Sequence, residues 1–215
     1  MKHLFLTSSI GIPGVGESIR TMLGHDRPLK AVFINTPVEG DDQSDLSWVD
    51  EERVGLNKNG FITFDYTITG KNLSQIQADL ADIDVLYISG GNEFYLKEKS
   101  TESGFETFVN EFVNSGKIYI GTSCGSIIMG EDMTPLQKLS DLTALLKPID
   151  VVGFGIVDFT ILPHWGSQDF RGRWLNNESF NLMYKENSAL IALNNYEYVE
   201  VLGDKYRIID VRSEK

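Results

Sequence analysis

Cysteine and histidine are scarce in this sequence, which has one Cys and three His among 215 residues. A single cysteine excludes an intramolecular disulfide, and so few soft ligands argue against a structural zinc site. We therefore expect no metal site. An unpaired thiol is typical of proteins in a reducing compartment, and we expect a cytoplasmic protein.

Long apolar runs are also missing. The longest stretch without Asp, Glu, Lys or Arg extends from His3 to Gly16 and is interrupted by Pro13 and by glycines. A transmembrane helix needs about 20 predominantly apolar residues, and a signal peptide needs a longer apolar region than the first residues provide. We expect no membrane span and no membrane partner.

Positive charge is in deficit, because 19 Lys and Arg stand against 31 Asp and Glu, a net charge of -12. A chain of this charge is repelled overall by phosphate backbones and by anionic lipid. Nucleic acid is therefore not an expected partner.

The apolar residues that are present, 41% of the chain, suffice for a sizeable core, and we expect one domain over residues 1–215. They fall into short runs rich in β-branched and aromatic residues, which is typical of strands. The predicted strands are His3–Thr7, Lys30–Asn35, Phe61–Asp65, Val85–Ser89, Lys117–Ile120, Phe159–Pro163, Ala189–Ala192, Tyr198–Leu202 and Tyr206–Val211.

Amphipathic segments separate these runs, and residues 73–83 and 105–113 each repeat apolar side chains at steps of three and four. Strand, helix and strand in alternation predict right-handed crossovers and a mostly parallel sheet. The turn Leu202–Lys205 lies between the last two strands and predicts a small antiparallel edge. The fold class is α/β, a three-layer sandwich with a doubly wound sheet.

The segment Gly121–Gly125 reads Gly-Thr-Ser-Cys-Gly and matches the pattern G-x-S-x-G. Glycines flank a serine nucleophile when it occupies a sharp turn between a strand and a helix, where larger neighbours would collide with the backbone. A predicted strand precedes Ser123 and an apolar helical run follows it. Ser123 is a candidate nucleophile; the alternative is a tight turn whose serine caps a buried helix.

A serine nucleophile needs a general base, and His164 is the best placed of the three histidines. It follows a predicted strand, as Ser123 does, and ligands bind at the carboxyl ends of strands in open α/β sheets. His3 instead begins a strand and His25 lies in a turn.

Acyl transfer also needs hydrogen-bond donors for the oxyanion, usually including the N–H after the nucleophile, here that of Cys124. A second donor could come from the glycine turn Ser89–Asn92 at the end of a predicted strand. That turn can also be a simple connection between a strand and a helix, and the residues alone do not separate the two interpretations.

Taken in order along the chain, these segments resemble the peptidase E family of serine peptidases, the aspartyl dipeptidases. The resemblance covers the loop Thr7–Gly14, Ala31–Ile34, Ile88–Asn92, Tyr119–Gly125, Asp132–Met133 and Leu162–Trp165. It implies a fold similar to class I glutamine amidotransferases, Ser123 as nucleophile, His164 as base, and an oxyanion hole made by the Gly91 and Cys124 amides. It also implies hydrolysis of short peptides, particularly dipeptides with N-terminal Asp, without a cofactor. We expect a monomer or a homodimer, and the sequence leaves the choice between them open.

The third triad position departs from the family pattern. The family has a Glu in a Leu-Pro-Glu sequence, whereas this chain has Leu193-Asn194-Asn195, followed two residues later by Glu197. In an extended segment residues 195 and 197 share a face, so we predict that Asn195 or Glu197 orients His164. An asparagine can hold an imidazole by a hydrogen bond but adds no charge.

A pocket for an N-terminal Asp requires a cation, and Arg171 and Arg173 follow His164 closely enough to supply it. A guanidinium group matches a carboxylate in a bidentate pair. The alternative is that both arginines form surface ion pairs.

Two other functions stay open on the sequence alone. The missing glutamate is compatible with a catalytically impaired relative that binds a small ligand, and the implied fold is compatible with an amidotransferase-like amidase. The amidotransferases use a cysteine at the centre of the turn, where this chain has Ser123, with Cys124 one residue later.

Overall fold

The computed structural model describes residues 1–24, 26–133, 152–170 and 189–212. Seven strands of the described chain form one twisted sheet in the order β3-β2-β4-β5-β1-β8-β9, and two more form a separate parallel pair, β6 and β7. The strands are β1 His3–Thr7, β2 Leu29–Ile34, β3 Phe61–Tyr66, β4 Val85–Ile88, β5 Ile118–Thr122, β6 Phe159–Leu162, β7 Ala189–Ala192, β8 Glu197–Leu202 and β9 Lys205–Asp210.

The five strands β3, β2, β4, β5 and β1 run parallel, while β8 pairs antiparallel with β1 and β9 antiparallel with β8. The predicted mostly parallel sheet with a small antiparallel edge is therefore confirmed. Helices connect the parallel strands and are α1 Val15–Leu23, α2 Thr36–Glu39, α3 Ser47–Lys58, α4 Leu73–Asp79, α5 Glu93–Ser103, α6 Phe105–Asn114 and α7 Cys124–Ile127.

The core is divided between the two faces of the large sheet. One cluster includes Leu4 and Leu6 of β1 together with the apolar faces of α4 to α6, and the other includes Phe5 of β1 together with residues of α1 and α3. Alternate residues of one strand thus enter opposite clusters, which follows from the two-residue period of a strand. Helices cover both faces, as the predicted three-layer sandwich requires.

The strand before His164 does not join the large sheet. Phe159–Leu162 pairs only with Ala189–Ala192 among the described strands, in parallel, as a two-stranded sheet of its own. The sequence pattern could identify both strands but not this pairing, because apolar runs do not specify their partners. Among the described helices, none is long and apolar enough to cross a bilayer.

Candidate active site

Ser123 stands in a sharp turn directly after β5 and before α7. Its backbone has φ 48° and ψ -107°, a conformation that is strained for a residue with a side chain. The end of β1 holds the turn in place. Ser123 N–H donates to Thr7 O at 3.0 Å, and the Ser126 hydroxyl group donates to the same oxygen at 2.8 Å. The side chain of Ser123 is partly exposed at this edge of the sheet.

The two glycines of the motif are there because backbone passes close to them. A Cβ at Gly121 would collide with the carbonyl group of Gly125, and a Cβ at Gly125 would collide with the carbonyl group of Ile88. The strand, the turn and the helix can approach this closely only without side chains at both positions. This is the structural context that the G-x-S-x-G pattern predicts.

Ser123 and His164 form a hydrogen-bonded pair, with Ser123 Oγ 3.0 Å from His164 Nε2. They are also the two non-glycine residues with positive φ in the described part of the chain, at 48° and 60°. Backbone strain of this kind is retained where the surrounding structure holds it. Both strained residues are the ones predicted from the sequence to be the nucleophile and the base.

The buried hydroxyl group of Ser8 connects the His164 loop to the end of β7. Ser8 Oγ accepts a hydrogen bond from His164 N–H at 3.2 Å and donates to Leu193 O at 2.9 Å. Trp165 N–H donates to the same carbonyl oxygen at 2.8 Å. His164 is therefore placed by the first loop of the chain and by the segment after β7, although no strand of the large sheet carries it.

Asn195 is the partner of the second imidazole nitrogen. Its Oδ1 lies 2.8 Å from His164 Nδ1, and because an amide oxygen only accepts, Nδ1 carries the proton. In the neutral ring this leaves a lone pair on Nε2, directed at the Ser123 hydroxyl group. Of the two predicted orienting residues, Asn195 makes this contact, whereas Glu197 Oε2 accepts from the backbone N–H of Asn194 at 2.9 Å.

Phe170 stacks on the imidazole ring of His164. The ring centroids are 4.4 Å apart and the planes differ by 17°. An aromatic face in this position limits rotation of the imidazole and lies favourably against a positively charged ring. No sequence pattern singled out Phe170, because an aromatic residue in a loop has no periodic signal.

Two backbone N–H groups beside Ser123 are candidates for holding an oxyanion. Within the described residues, neither Gly91 N–H nor Cys124 N–H has a hydrogen-bond acceptor. Gly91 has φ 123°, and a Cβ there would lie 2.6 Å from the Pro37 carbonyl group, so only glycine fits this turn. Unpaired amides next to a nucleophile are the donors that a tetrahedral intermediate requires.

The Cys124 thiol group is fully buried beneath the turn. Burial raises the pKa of this thiol well above the usual value, and the nearby carboxyl groups of Glu93 and Glu52 raise it further. A thiol held in the protonated form is a poor nucleophile. The structure therefore gives no support to Cys124 as an amidotransferase-like nucleophile, and leaves its backbone amide as the relevant group.

Arg171 and Arg173 lie outside the described residues, so the predicted carboxylate pocket stays a prediction. Ser8 had no assigned role in the sequence, although it stands directly after β1, at the same edge of the sheet as Ser123. A polar residue at the carboxyl end of a parallel strand is the signal that could have identified it.

The fold is an α/β sandwich like that of the class I glutamine amidotransferases, with a hydrogen-bonded serine and histidine at the carboxyl ends of its strands. The sequence profile of peptidase family S51 matches residues 4–209, and the chain belongs to that family. The resemblance to peptidase E that the motifs carried is thereby confirmed.

Proteins with a similar sequence or structure are also described as peptidases. The uncharacterized peptidase Lmo0363 of Listeria monocytogenes is 25% identical over 94% of this chain and 96% of its own length. A Peptidase E of Shewanella sp. ANA-3 is 30% identical over 41% of this chain and 36% of its own. A crystal structure of a candidate peptidase E from Listeria monocytogenes EGD-e superposes with a TM-score of 0.81 at 22% identity, covering 98% of both chains.

Proposed function

We propose that this peptidase is a serine peptidase that cleaves short peptides through an acyl-enzyme on Ser123. The observation that carries the proposal is the hydrogen bond of 3.0 Å between Ser123 Oγ and His164 Nε2, made by two residues in strained backbone conformations. Nucleophile and base within hydrogen-bond reach, with the base held by a third group, is the arrangement that nucleophilic catalysis requires.

In the first half-reaction, His164 Nε2 takes the proton as Ser123 Oγ attacks the peptide carbonyl carbon. The N–H groups of Gly91 and Cys124 stabilise the resulting oxyanion, and the imidazolium ring then protonates the leaving amine. In the second half-reaction, a water molecule loses its proton to His164 and attacks the acyl carbon; the ester bond to Ser123 Oγ then breaks, the imidazolium ring returns the proton to Oγ, and the acid product leaves. Asn195 holds the ring in the required tautomer throughout.

Dipeptides with an N-terminal Asp are the proposed substrates, with Arg171 and Arg173 as the proposed partners of the Asp side chain. This specificity is supported by the resemblance to the aspartyl dipeptidases. Hydrolysis rates for Asp-Leu, Asn-Leu and Lys-Leu test it, since an arginine pocket favours the first by a large factor. Arg171→Ala and Arg173→Ala should each reduce this preference if both contact the carboxylate.

Labelling with a fluorophosphonate tests the serine mechanism directly. We expect covalent modification of Ser123, lost in both Ser123→Ala and His164→Ala. His3→Ala is the matched control, because His3 lies at the opposite end of β1 and contacts Glu200. Well-folded wild-type protein that takes no label would refute the proposal.

A catalytically impaired relative that binds a small ligand is the second candidate, favoured by Asn195. Its amide oxygen contacts His164 Nδ1 where a carboxylate would stabilise the imidazolium form. Such a protein would bind Asp-Leu, as measured by calorimetry, and release no product over hours.

We further propose that the protein acts in the cytoplasm, since its one thiol is buried and free.

A further inference from the structure

A buried carboxyl group lies behind the glycine turn that borders the site. Glu52 of α3 is 4% exposed, and its Oε1 accepts a hydrogen bond from Gly90 N–H at 3.2 Å. Its Oε2 shares a second hydrogen bond of 2.8 Å with the hydroxyl group of Tyr87. Burial penalises the charged form of a carboxyl group, and the mechanism proposed above assigns no role to this one.

Gly90 separates Glu52 from the nucleophile. A Cβ placed on Gly90 would lie 3.1 Å from Glu52 Oε1 and 3.7 Å from Ser123 Cβ, so this backbone fills the space between the two side chains. The next residue is Gly91, whose N–H is a proposed oxyanion donor. On its far side, the backbone N–H of Asn92 donates to Pro37 O at 3.0 Å. Glu52 is thus one of two anchors that flank Gly91.

The same carboxyl group is linked to the strand that carries Ser123. Tyr87 belongs to β4, which pairs in parallel with β5, the strand that ends at Thr122, the residue before Ser123. Thr122 Oγ1 is in turn 2.9 Å from Thr7 Oγ1. The hydrogen bonds of Glu52 and the pairing of β4 with β5 therefore connect the glycine turn to the base of the nucleophile turn, the two parts whose separation sets the size of the oxyanion hole.

We propose that Glu52 is a positioning residue for the oxyanion hole: its carboxyl group holds Gly90 N–H so that the adjacent Gly91 N–H faces Ser123. The proposal rests on the serine mechanism proposed above. Burial raises the pKa of Glu52 to about 8, so near pH 7 the group is mostly uncharged and does not oppose the negative charge of the intermediate. Oxyanion donors act on charge that develops in the transition state, so a displaced donor lowers kcat and leaves KM nearly unchanged.

Two substitutions of Glu52 test whether Gly90 N–H needs a hydrogen-bond acceptor or an ionisable group at this position. Glu52→Gln keeps an oxygen for Gly90 N–H and offers an amide to Tyr87, whereas Glu52→Leu removes the acceptor at similar size. With Asp-Leu as substrate we expect kcat within about 3-fold of wild type for the first and a loss of roughly 10- to 100-fold for the second, at similar KM. Glu51→Leu, an exposed neighbour on the same helix, is the control and should match wild type.

The outcomes distinguish this proposal from the one it rests on. A wild-type chain that neither cleaves Asp-Leu nor takes the fluorophosphonate label refutes the serine mechanism and the role of Glu52 with it. An active wild type whose Glu52→Leu variant is folded and equally fast refutes the role of Glu52 alone.

Tyr87→Phe provides a second route if Glu52→Leu does not fold. It removes one anchor of the carboxyl group and keeps the acceptor for Gly90, so we expect a loss in kcat of a few-fold. Amide hydrogen exchange at Gly90 should be slow in wild type and in Glu52→Gln, and faster in Tyr87→Phe. Unchanged kcat together with unchanged exchange in Tyr87→Phe would refute the positioning role.

Discussion

Asn195 gives the imidazole of His164 an orientation but no compensating charge. A carboxylate at this position would both fix the tautomer and stabilise the imidazolium form, whereas the amide oxygen at 2.8 Å can do only the first. The stacked ring of Phe170 covers one face of the same imidazole. Orientation of the base is thus shared between a hydrogen bond and an aromatic contact.

Substitution of Asn195 should separate these contributions. We expect Asn195→Ala to lower kcat by roughly 10- to 100-fold, less than the full contribution of about 10²- to 10⁴-fold from a general base. Asn195→Asp should move the acidic limb of the kcat/KM profile to higher pH, because an adjacent carboxylate favours the charged ring. Glu197→Gln is the control, since Glu197 contacts Asn194 N–H, and an equal loss in that variant would contradict our assignment.

Glu52 should make stability depend on pH. Its pKa is raised by burial from an ordinary 4.5 to about 8, so the folded chain holds a proton that the unfolded chain loses. The stabilisation is complete below about pH 4.5 and falls as pH rises through 8, by at most about 1.4 kcal/mol per pH unit. Glu52→Gln has no such proton and removes this dependence.

Urea unfolding of wild type and Glu52→Gln at pH 5, 6, 7 and 8 measures this contribution. The neighbouring groups Tyr87, Arg53 and Cys124 are the same in both proteins, so the difference in unfolding free energy isolates position 52. That difference should shift steadily in favour of the variant as pH rises. A constant difference would mean that Glu52 titrates near its ordinary pKa.

At the scale of elements, the base is carried by a loop that the large sheet does not hold. Its fixed points are the buried Ser8 hydroxyl group and the carbonyl oxygen of Leu193, connected to His164 and Trp165. We expect Ser8→Ala to cost about 1–3 kcal/mol of stability, because it leaves buried partners unpaired, and to lower kcat about 10-fold. Ser9→Ala, at the partly buried next position, should change neither quantity; thermal unfolding and Asp-Leu hydrolysis measure both.

The individual elements could be predicted because their signals are local. Short apolar runs identified all nine described strands, and glycine spacing identified the turn at Ser123. The separate pairing of β6 with β7 could not be predicted, since a run of apolar residues does not encode its partner. For the same reason the sequence left Asn195 and Glu197 equivalent: alternation places both on one face, and only the folded contacts distinguish them.

The role proposed for Glu52 could not be predicted from the sequence, for a different reason. Glu52 is the last of seven acidic residues between positions 39 and 52, and the sequence pattern does not separate it from its exposed neighbour Glu51. Burial and two hydrogen bonds set it apart, and both arise from tertiary packing of α3 against β4 and the turn at Gly90.

At the scale of the whole molecule, the antiparallel strands β8 and β9 form the edge of the sheet beside β1. β8 buries Tyr198, Val199 and Val201. At about 25 cal/mol per Å² of buried apolar area, the free energy that these side chains contribute is a large part of a net stability of about 5–15 kcal/mol. A chain ending at residue 196 should therefore show no cooperative thermal unfolding by circular dichroism. Tyr206→Ser in the exposed edge of β9, where Tyr206 is 52% exposed, should unfold cooperatively; a truncated chain that does the same would contradict this account.

The antiparallel pairing of β1 with β8 also has a consequence during synthesis. Ser8 leaves the ribosome well before residues 193–195, yet the base that it helps to place also needs the Leu193 carbonyl group and the Asn195 side chain. β1 likewise gains its second neighbour, β8, only after residues 197–202 have emerged. Until residues 193–195 have emerged, a nascent chain holds Ser123 without the groups that orient His164, so the proposed serine mechanism cannot operate in it.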